Sequence, residues 1–400
     1  MKILWITLES ILPANSGGRM GVFKRIEQLS KTEDIYLFYP YDSYNELNYV
    51  NEIKKYCKEV HPYSRKANRN KAILNLFRYP YTISTRNIKE MQRDINKCIK
   101  ENNIDVINVD FPHMCVNLKN NDIKNIPIIL NEHNIEWKVY QLISNSQKNI
   151  LKKIIYYIDS FRLRKFERKI LKKIDFDKIT FVSSSDLDFF AKDYNMTKSK
   201  LELIPVGADI RENKHMKESK QKNIIFVGKM SYGPNIEAVN WFVNNVFYKI
   251  KKEYNDVKFY IVGKDPTQEI LKLSNNDIVV TGKVDSVEEY YNLADLVVIP
   301  LLNGGGVKVK LLEAISFNKK IVSTTKGVEG TIYSNLKTIP VSDSCIEFSN
   351  LCIKSLMDDD EILERREEAY KLFIENYTWN SIGKKYKRII EKVVEKDERK

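Results

Sequence analysis

The sequence has little of what marks a secreted, membrane-spanning or metal-binding protein. Its five cysteines are odd in number, scattered and never arranged as CxxC: Cys57, Cys98, Cys115, Cys345 and Cys352. A zinc site or a redox motif is therefore not expected, and a reducing cytosol suits the chain best. No run approaches the roughly 18 apolar residues that a membrane span needs. The opening MKILWITLES lacks the apolar core and cleavage site of a signal peptide, and instead predicts the first buried strand of a soluble, cytoplasmic protein.

The composition is that of a folded protein with a basic surface. With 43% hydrophobic and 11% aromatic residues, the 400-residue chain can fill its cores, and its length favours two domains over one. The formal net charge of +13 indicates anionic partners: nucleotide phosphates, an acidic membrane surface or nucleic acid. Nucleic acid is not expected, because no nucleic-acid motif is present and the aromatic residues form no base-stacking platform.

Short β-branched runs alternate with longer amphipathic ones, which is typical of parallel α/β sheets. Predicted strands of a first half lie at residues 3–7, 35–39, 106–109, 128–130 and 179–182, and those of a second half at 224–227, 258–262, 278–281, 296–300 and 320–324. Helices are predicted at residues 19–30, 148–173, 236–251, 307–317 and 381–396.

The domain boundaries follow from this pattern. We predict an N-terminal Rossmann-like domain over residues 1–205 and a C-terminal Rossmann-like domain over 223–378. The linker at 206–222 contains a polar, non-periodic stretch, DIRENKHMKESKQK. A closing helix over 379–400 places five apolar residues on one face: Ile382, Tyr386, Ile389, Ile390 and Val393.

The segment NGGGVKVKLLEAISFNKK at residues 303–320 carries the most chemistry. Its glycines Gly304, Gly305 and Gly306 follow a predicted strand and precede a helix, so backbone N–H groups and a helix N-terminus can face an anion at close range. Lys310 in the first turn can reach a diphosphate, and Glu313 one turn later can accept hydrogen bonds from two ribose hydroxyls. A flexible loop before an ordinary amphipathic helix is the open alternative.

This segment resembles the donor-binding signature of the large retaining family of two-domain glycosyltransferases called family four. It is most similar to the branch written G-x-x-x-K-x-L-E-A, ending in K/R-P-V-V-x-T. The stretches FVGKMSYGPN and VTGKVDSVEEYYNLADLVVIPL, and TWNSIGKKYKRII near the end, agree with that branch in order and spacing. The matching residues of the signature are Gly306, Lys310, Leu312, Glu313, Ala314 and Thr324.

The resemblance implies the GT-B fold: two Rossmann-like parallel-sheet domains facing across a cleft, with the closing helix crossing back to the first domain. It also implies that the C-terminal domain holds a nucleotide diphosphate sugar. The expected donor-binding residues there are Lys229, Val284, Gly304, Gly305, Gly306, Lys310 and Glu313.

The sequence departs from the family pattern at two places. The broader family has two glutamates eight residues apart, but Gly305 stands eight residues before Glu313. The family also often has an arginine and then a lysine after its first C-terminal strand, where this chain has Lys229 and Pro234. Neutralisation of the diphosphate is then expected to depend on Lys229, Lys310 and the glycine amides.

Two N-terminal features also resemble the family. Gly17 and Gly18 come between the first strand and a helix, like the family's glycine loop beside the donor phosphates, although a simple tight turn is an alternative. LNEHNIEW at residues 130–137 resembles E-H-N-x-E, whose histidine, here His133, is expected to meet the donor sugar near its anomeric carbon. A hydrogen-bonded histidine at a strand end is the alternative.

No essential metal and no cofactor are expected. Asp186, Leu187 and Asp188 have the D-x-D form, but they follow three serines at a predicted helix start, where Ser and Asp cap free N–H groups. Asp358–Asp360 likewise look like acids at the start of a helix. The nucleotide sugar is a substrate, and a UDP-sugar is favoured over a GDP-sugar.

Two basic regions could dock on anionic lipid: the helix at 148–173 and the stretch 65–79, which contains Phe77 and Tyr79. In the helix, apolar residues keep helical spacing: Leu151, Ile154, Ile155, Ile158, Phe161, Phe166 and Ile170. A solvated charged face on a helix packed by its other side is the alternative, so peripheral attachment to the inner face of the cell membrane stays open.

The expected activity is transfer of a hexose from a nucleotide diphosphate sugar to a glycan, lipid-linked or protein acceptor, with retention of anomeric configuration. The main alternative is a non-catalytic GT-B subunit that binds glycan or stabilises an active transferase, and Gly305 is the feature that favours it. A sugar-nucleotide epimerase of the same architecture fits the C-terminal motifs less well.

Overall fold

The computed structural model describes residues 1–66, 78–118, 123, 125–147, 149–211, 221–357 and 359–397. The chain divides into two compact units, each with its own sheet. The first unit comprises Met1–Pro205 together with Ile382–Lys400, and the second comprises Val206–Ser381. Much of the predicted linker at 206–222 and most of the basic stretch at 65–79 lie outside the described residues, as do Lys148 and Asp358.

Within the described residues, the first unit forms a seven-stranded parallel sheet in the order β3-β2-β1-β4-β5-β6-β7. Strand β1 pairs with β2 on one side and with β4 on the other, so the direction of winding reverses between β1 and β4. The strands are β1 Lys2–Ile6, β2 Asp34–Tyr41, β3 Glu59–Ser64, β4 Val106–Asp110, β5 Ile128–Glu132, β6 Lys178–Phe181 and β7 Leu201–Leu203.

Helices cover this sheet by their apolar faces. The helix Lys89–Asn102 buries Met91, Ile95 and Cys98, which recur at helical spacing, and Asn103 ends it in the left-handed conformation (φ 50°). The α-helices of the first unit are Gly17–Leu29, Val50–Ile53, Tyr81–Ser84, Lys89–Asn102, Glu136–Ser146, Ile150–Lys173 and Ser184–Asp193, with Trp379–Asp397 joining it from Ile382 onwards.

In the described part of the second unit, five parallel strands lie in the order β10-β9-β8-β11-β12, and the winding reverses between β8 and β11. The strands are β8 Asn223–Val227, β9 Lys258–Val262, β10 Ile278–Gly282, β11 Leu296–Ile299 and β12 Ile321–Ser323. Its α-helices are Gly233–Phe242, Tyr248–Glu253, Gln268–Leu271, Glu288–Leu293, Val309–Ser316, Thr325–Val328, Cys345–Leu356 and Asp360–Asn376.

The predicted α/β class with parallel sheets is confirmed, and each predicted strand is present within a residue or two. Two strands escaped prediction: Glu59–Ser64 (EVHPYS) and the three-residue Leu201–Leu203. Both lie at the outer edges of the sheet, where proline and charged residues are tolerated and a continuous apolar run is not needed. The predicted helix at 236–251 contains a π-helical segment at Val243–Phe247.

The helix Ile150–Lys173 is present as predicted, but its apolar residues are not all buried. Phe166 and Ile170 pack into the core of the first unit, whereas the apolar residues of its first three turns face outwards. Helical spacing therefore predicted that this segment is a helix, but it did not predict that the apolar residues of its first half are exposed. In contrast, all five apolar residues predicted on one face of the closing helix are buried.

No helix in the described ranges has both the length and the apolar character needed to cross a membrane.

Candidate functional site

In both units, glycines and charged side chains gather where the chain leaves the carboxyl ends of the central strands. Parallel α/β sheets bind ligands at this edge, next to the pair of strands between which the winding reverses. In the second unit these strands are β8 and β11, and in the first unit they are β1 and β4. The two groups of residues are described separately below.

The second-unit group is centred on the ammonium of Lys310, which lies directly above Gly228. A Cβ at Gly228 would approach Lys310 Nζ to 2.9 Å and Asn235 Nδ2 to 2.7 Å, so only glycine leaves room for both. Lys310 Nζ donates to Asn235 Oδ1 at 2.7 Å and lies 4.0 Å from the centroid of the Phe226 ring. Asn235 Nδ2 in turn donates to the Lys229 carbonyl at 2.9 Å. The Asn235 amide thus ties the lysine to the turn that follows β8.

The charge of Lys310 is held in an unfavourable environment. Its pKa is lowered to about 7, chiefly by burial and to a smaller extent by the neighbouring Lys308, while Glu313 acts in the opposite direction. The ammonium is therefore only partly populated at neutral pH. An anion beside it would restore the full positive charge, as expected of a lysine that receives a phosphate.

The glycine segment is fixed by a lysine that the sequence analysis did not single out. Lys308 is largely buried, and its Nζ donates to the carbonyl oxygens of Gly304, Gly305 and Gly306 at 3.2, 3.1 and 2.5 Å. Gly304 (φ 112°) and Gly306 (φ 68°) adopt backbone conformations that other residues rarely do. With the three carbonyls turned towards one ammonium, the N–H groups of these glycines have no acceptor among the described residues, which leaves them for a ligand.

Glu313 lies one turn after Lys310 on the helix Val309–Ser316, and a hydrogen bond from Tyr291 positions its carboxylate. Tyr291 Oη donates to its Oε2 at 3.3 Å, and the Tyr291 ring is stacked on Phe317 with centroids 4.7 Å apart. Burial raises the pKa of Glu313, although Tyr291, Lys310 and Arg211 oppose the shift. Its Oε1 has no hydrogen-bond partner in the described part of the chain and can accept from ligand hydroxyls.

The other two donor residues predicted in this unit follow strand ends at the same edge. Lys229 lies two residues after the end of β8, with its Nζ 3.7 Å from Asp265 Oδ2 and both side chains 56% exposed. Val284 comes after β10 and packs, half-buried, against the core of the unit. The structure thus brings Lys310 and Glu313 together on one helix with the glycines before them, and it leaves Lys229 at the margin.

The first-unit group is a closed set of hydrogen bonds around Asp110. Asp110 ends β4, and its Oδ1 lies 3.0 Å from both Arg25 Nη2 and His133 Nε2. Its Oδ2 accepts from Trp5 Nε1 at 2.5 Å. Because the carboxylate can only accept while ionised, we assign the His133 proton to Nε2, although Arg25 Nη2 is also 3.1 Å from this nitrogen. His133 Nδ1 is then an acceptor and has no partner among the described residues.

The charges in this group stabilise each other. Burial alone would raise the pKa of Asp110, but the Arg25 guanidinium and the hydrogen bonds from His133 and Trp5 outweigh it and lower that pKa. Burial, reinforced by Arg25, lowers the pKa of His133 in spite of Asp110. The resulting state is an ionised aspartate beside a neutral imidazole.

The sequence suggested that Gly17 and Gly18 form a loop before a helix, but the structure shows no such loop. They are the first residues of the helix Gly17–Leu29, for which Ser16 is the N-cap and accepts from the Arg19 N–H at 3.3 Å. Serine caps a free N–H group, so the helix can start at the glycine pair itself. Gly18 still lines a small cleft with Phe111, and the Phe111 ring is stacked on His133 with centroids 4.4 Å apart.

Several residues of the two groups were missed by sequence reasoning. Asp110 could have been found, because a carboxylate that ends a buried strand lies at the ligand-binding edge. Arg25 and Tyr291 gave no such signal, since each lies inside a helix and acts through a distant partner. Asn235 and Lys308 lie within the quoted motifs, but only their contacts distinguish them from neighbouring polar residues.

Glu132 lies next to His133 but is turned into the core. It is 2% exposed, and neither carboxylate oxygen has a hydrogen-bond partner among the described residues. Burial, together with the nearby Glu167, Glu136 and Asp186, raises its pKa well above the usual value. This shift favours the protonated form of Glu132, which belongs to the core of the unit.

The D-x-D stretch lies at the start of a helix, as predicted. The helix Ser184–Asp193 has Ser183 at its N-cap position, and Asp186 lies in its first turn, where a negative charge is favoured. Within the described ranges, no group of three or more His, Cys, Asp or Glu side chains is placed to hold a metal ion.

Two family descriptions match this chain, one in each half. Residues 58–212 match "Glycosyltransferase Family 4", and residues 221–357 match "Glycosyl transferases group 1". The second match contains every donor-binding residue predicted in the second unit, and the first match contains His133.

One relative is similar in sequence, and two solved structures are similar in fold. The chain is 25% identical over 388 residues to an uncharacterized 44.6 kDa protein in the cps region of Klebsiella pneumoniae, covering 94% of this chain and 96% of that one. Sucrose-phosphate synthase from Thermosynechococcus elongatus is similar in structure with a TM-score of 0.65 at 13% identity, covering 98% and 99% of the two chains. HepE of Anabaena, solved in complex with UDP and glucose, has a TM-score of 0.60 at 11% identity, covering 98% and 100%. Each half of the chain thus matches a glycosyltransferase family, and the two parallel-sheet units have the GT-B fold of the similar solved structures.

Proposed function

We propose that the protein transfers a hexose from a nucleotide diphosphate sugar to a glycan, lipid-linked or protein acceptor, with retention of anomeric configuration. The observation that carries the proposal is the set of groups in the second unit that the described residues leave available to a ligand. A partly charged Lys310, the free N–H groups of Gly304–Gly306 and the open Oε1 of Glu313 occur within three turns of chain around one helix N-terminus. Positive charge and free N–H groups suit a diphosphate, and a fixed carboxylate suits ribose hydroxyls.

A UDP-sugar is the donor we favour over a GDP-sugar. The similar fold of HepE has been solved with UDP and glucose bound, which supports a uridine nucleotide for this chain as well. We expect the donor to bind without an essential metal, with its charge met by Lys310, Lys229 and the glycine amides. Turnover should therefore survive EDTA, and activity that is lost on chelation and restored by magnesium or manganese would contradict this part of the proposal.

The proposed chemistry needs no protein nucleophile. The bond between the anomeric carbon and the diphosphate breaks, the acceptor oxygen bonds to that carbon on the same face, and the acceptor proton passes to the departing phosphate. The protein then has to stabilise negative charge on the phosphate, which positioned donors do well. Gly305, where the broader family has glutamate, does not prevent this reaction. We also propose that His133, through its free Nδ1, supports turnover more than nucleotide binding.

The test of donor binding is calorimetry with UDP, GDP and their sugars. Glu313→Ala should weaken UDP binding by loss of hydrogen bonds to a charged group, each contributing roughly 1.5–3 kcal/mol. The matched control is Glu364→Ala, which removes an exposed glutamate from the second unit and should leave the affinity unchanged. Equal UDP affinity in the wild type and Glu313→Ala would refute the assignment.

A non-catalytic GT-B subunit is the second candidate, and Gly305 is the observation that favours it. The two candidates separate when the purified protein is incubated with its best-binding nucleotide sugar and followed by NMR. Slow release of free sugar, reduced in His133→Ala, supports the enzyme. Neither hydrolysis nor transfer, together with tight binding to a second transferase, supports the subunit.

A further inference from the structure

The first unit has a helical hairpin whose tip is covered with exposed apolar side chains. The hairpin consists of the helices Glu136–Ser146 and Ile150–Lys173, which pack along each other. Each of the following residues is at least 50% exposed: Leu142, Ile150, Leu151, Ile154, Ile155, Tyr157, Ile158 and Phe161. Scattered exposed apolar residues are ordinary in soluble proteins, but a contiguous group of this size indicates an interaction surface.

The same exposed face continues into a basic segment. Steps of three and four residues lead from Ile154 through Ile158 and Phe161 to Lys165, and onward to the remaining basic residues of the face. The basic segment of this face comprises Lys165, Arg168, Lys169, Lys172 and Lys173. The apolar part extends about 17 Å along the helix and the basic part about 12 Å, at 1.5 Å per residue.

The charge of this surface has one sign. The helix Ile150–Lys173 contains nine Lys or Arg and two acidic residues. Neither acid is on the exposed face, because Asp159 is half-buried and pairs with Arg162, while Glu167 is buried. Lys165, Lys169, Lys172 and Lys173 have no ion-pair partner among the described residues, so their charges are available to a partner.

We propose that this hairpin tip inserts into the surface of an anionic lipid bilayer, with the apolar turns among the acyl chains and the basic turns among the headgroups. Interfacial helices bind in this way through buried apolar area and attraction to anionic lipid. A second copy of the chain fits the surface poorly. A second copy could cover the apolar turns, but among the described residues the exposed face of its hairpin has no acidic residue to meet the basic segment.

The proposal does not depend on the transferase activity, and vesicle flotation tests it. The protein should float with vesicles of phosphatidylcholine and phosphatidylglycerol, less with phosphatidylcholine alone, and less at high salt. The double variant Ile154→Ser/Phe161→Ser should bind anionic vesicles about tenfold more weakly or worse, from the lost burial of two large side chains. The control Ile346→Ser removes an equally exposed isoleucine of the second unit and should bind like the wild type.

A charge variant separates insertion from general attraction. Lys165→Gln/Lys169→Gln/Lys172→Gln should lose binding to anionic vesicles, whereas Lys55→Gln/Lys272→Gln/Lys384→Gln, with the same loss of charge at other exposed positions, should retain it. Circular dichroism and thermal unfolding serve as the folding check and should be equal in all variants. If the two triple variants weaken binding equally, the hairpin has no special role and the proposal fails.

Depth is tested with brominated lipids, which quench tryptophan fluorescence from the acyl region. Ile154→Trp should be quenched clearly more than Lys172→Trp, relative to the unmodified protein. Equal quenching at both positions would overturn the proposed orientation. Absence of binding to any vesicle, or a dimer of the wild type that Ile154→Ser/Phe161→Ser converts to a monomer, would overturn the membrane proposal and assign the surface to a second copy of the chain.

Discussion

The two groups of polar residues differ in how their charges are satisfied. In the first unit, Asp110 is surrounded by Arg25, His133 and Trp5, and every one of these donors already has its partner. In the second unit, Lys310 is only partly protonated at neutral pH, and the glycine N–H groups have no acceptor in the described residues. Apart from His133 Nδ1, the first group has its hydrogen bonds and charges satisfied by protein, whereas the second leaves several groups for a ligand. Substitution of Asp110 or Arg25 should therefore affect stability, and substitutions in the second-unit group should affect ligand affinity.

The largest expected effect comes from Asp110→Ala. Removing the carboxylate leaves the guanidinium of Arg25 buried and unpaired, which typically costs about 3–5 kcal/mol of folding free energy. Denaturant unfolding should show this loss, and UDP affinity measured below the transition should stay close to that of the wild type. Glu101→Ala, which breaks an exposed ion pair with Lys97 in the same unit, should leave stability nearly unchanged. If the two substitutions lowered the free energy of unfolding equally, the proposed difference between the two groups of residues would be refuted.

The next largest effect is expected from Lys310→Met, which should weaken ligand binding without reducing stability. Loss of the ammonium should weaken UDP binding by about 1.5–3 kcal/mol, or roughly 10- to 150-fold. Stability without ligand should be unchanged or higher, because a buried charge is replaced by an apolar side chain of similar length. Lys229→Met should weaken binding less, since that ammonium is more than half exposed and screened by water. Calorimetry and thermal unfolding of both variants provide the measurement.

A smaller effect is expected from pH. Lys310 has a pKa of about 7 without ligand, and a bound diphosphate raises it. Below pH 7 the lysine is already charged, so affinity should be nearly constant; above pH 7 binding must take up a proton, and affinity should fall by up to about tenfold per pH unit. Calorimetry in buffers of different ionisation enthalpy should detect this proton uptake at pH 8. In Lys310→Arg, whose side chain does not titrate in this range, the slope should disappear.

The smallest effect concerns Glu132, the one buried acid beside the first-unit group that has no hydrogen-bond partner among the described residues. Its pKa is raised in the folded protein, so its protonated form contributes stability that is complete below the unfolded value and is lost as pH rises. Glu132→Gln keeps the shape without the titration. At pH 8 it should raise the melting temperature by a few degrees, about the effect of 1 kcal/mol, and at pH 5 the change should be smaller. An equal shift at both pH values would contradict the assignment.

The sequence predicted the regular parts of the fold well, because buried central strands are continuous β-branched runs. It failed at edge strands such as Glu59–Ser64, where burial is partial and the apolar pattern is weak. The apolar turns of Ile150–Lys173 show a second limit. Spacing predicts that a helix has a face, but whether protein, lipid or water covers that face depends on packing that local sequence does not contain.

The donor residues were predicted from a motif because they follow one another on a loop and a helix. Gly304 to Glu313 is one short continuous stretch of sequence, so the donor-binding residues can be recognised as a motif. The first-unit group is assembled from β1, the helix Gly17–Leu29, β4 and the turn after β5, so its members are far apart in sequence. His133 was found only through a resemblance, and its partners Asp110 and Arg25 were not found.

The closing helix gives the first unit an unusual order of assembly during synthesis. Tyr386 Oη donates to Asn108 at 2.6 Å and to Asn131 at 2.7 Å, and its ring lies 5.3 Å from the Arg25 guanidinium. These contacts are buried beneath the Asp110 group, yet Tyr386 leaves the ribosome only after the whole second unit has been made. The nascent first unit must therefore wait, with the side chains of β4 and β5 uncovered, while about 180 further residues are added at roughly 5–20 residues per second. For roughly 10–35 seconds this surface is available to a chaperone, and a ribosome that stalls within the second unit would release a first unit that cannot be completed.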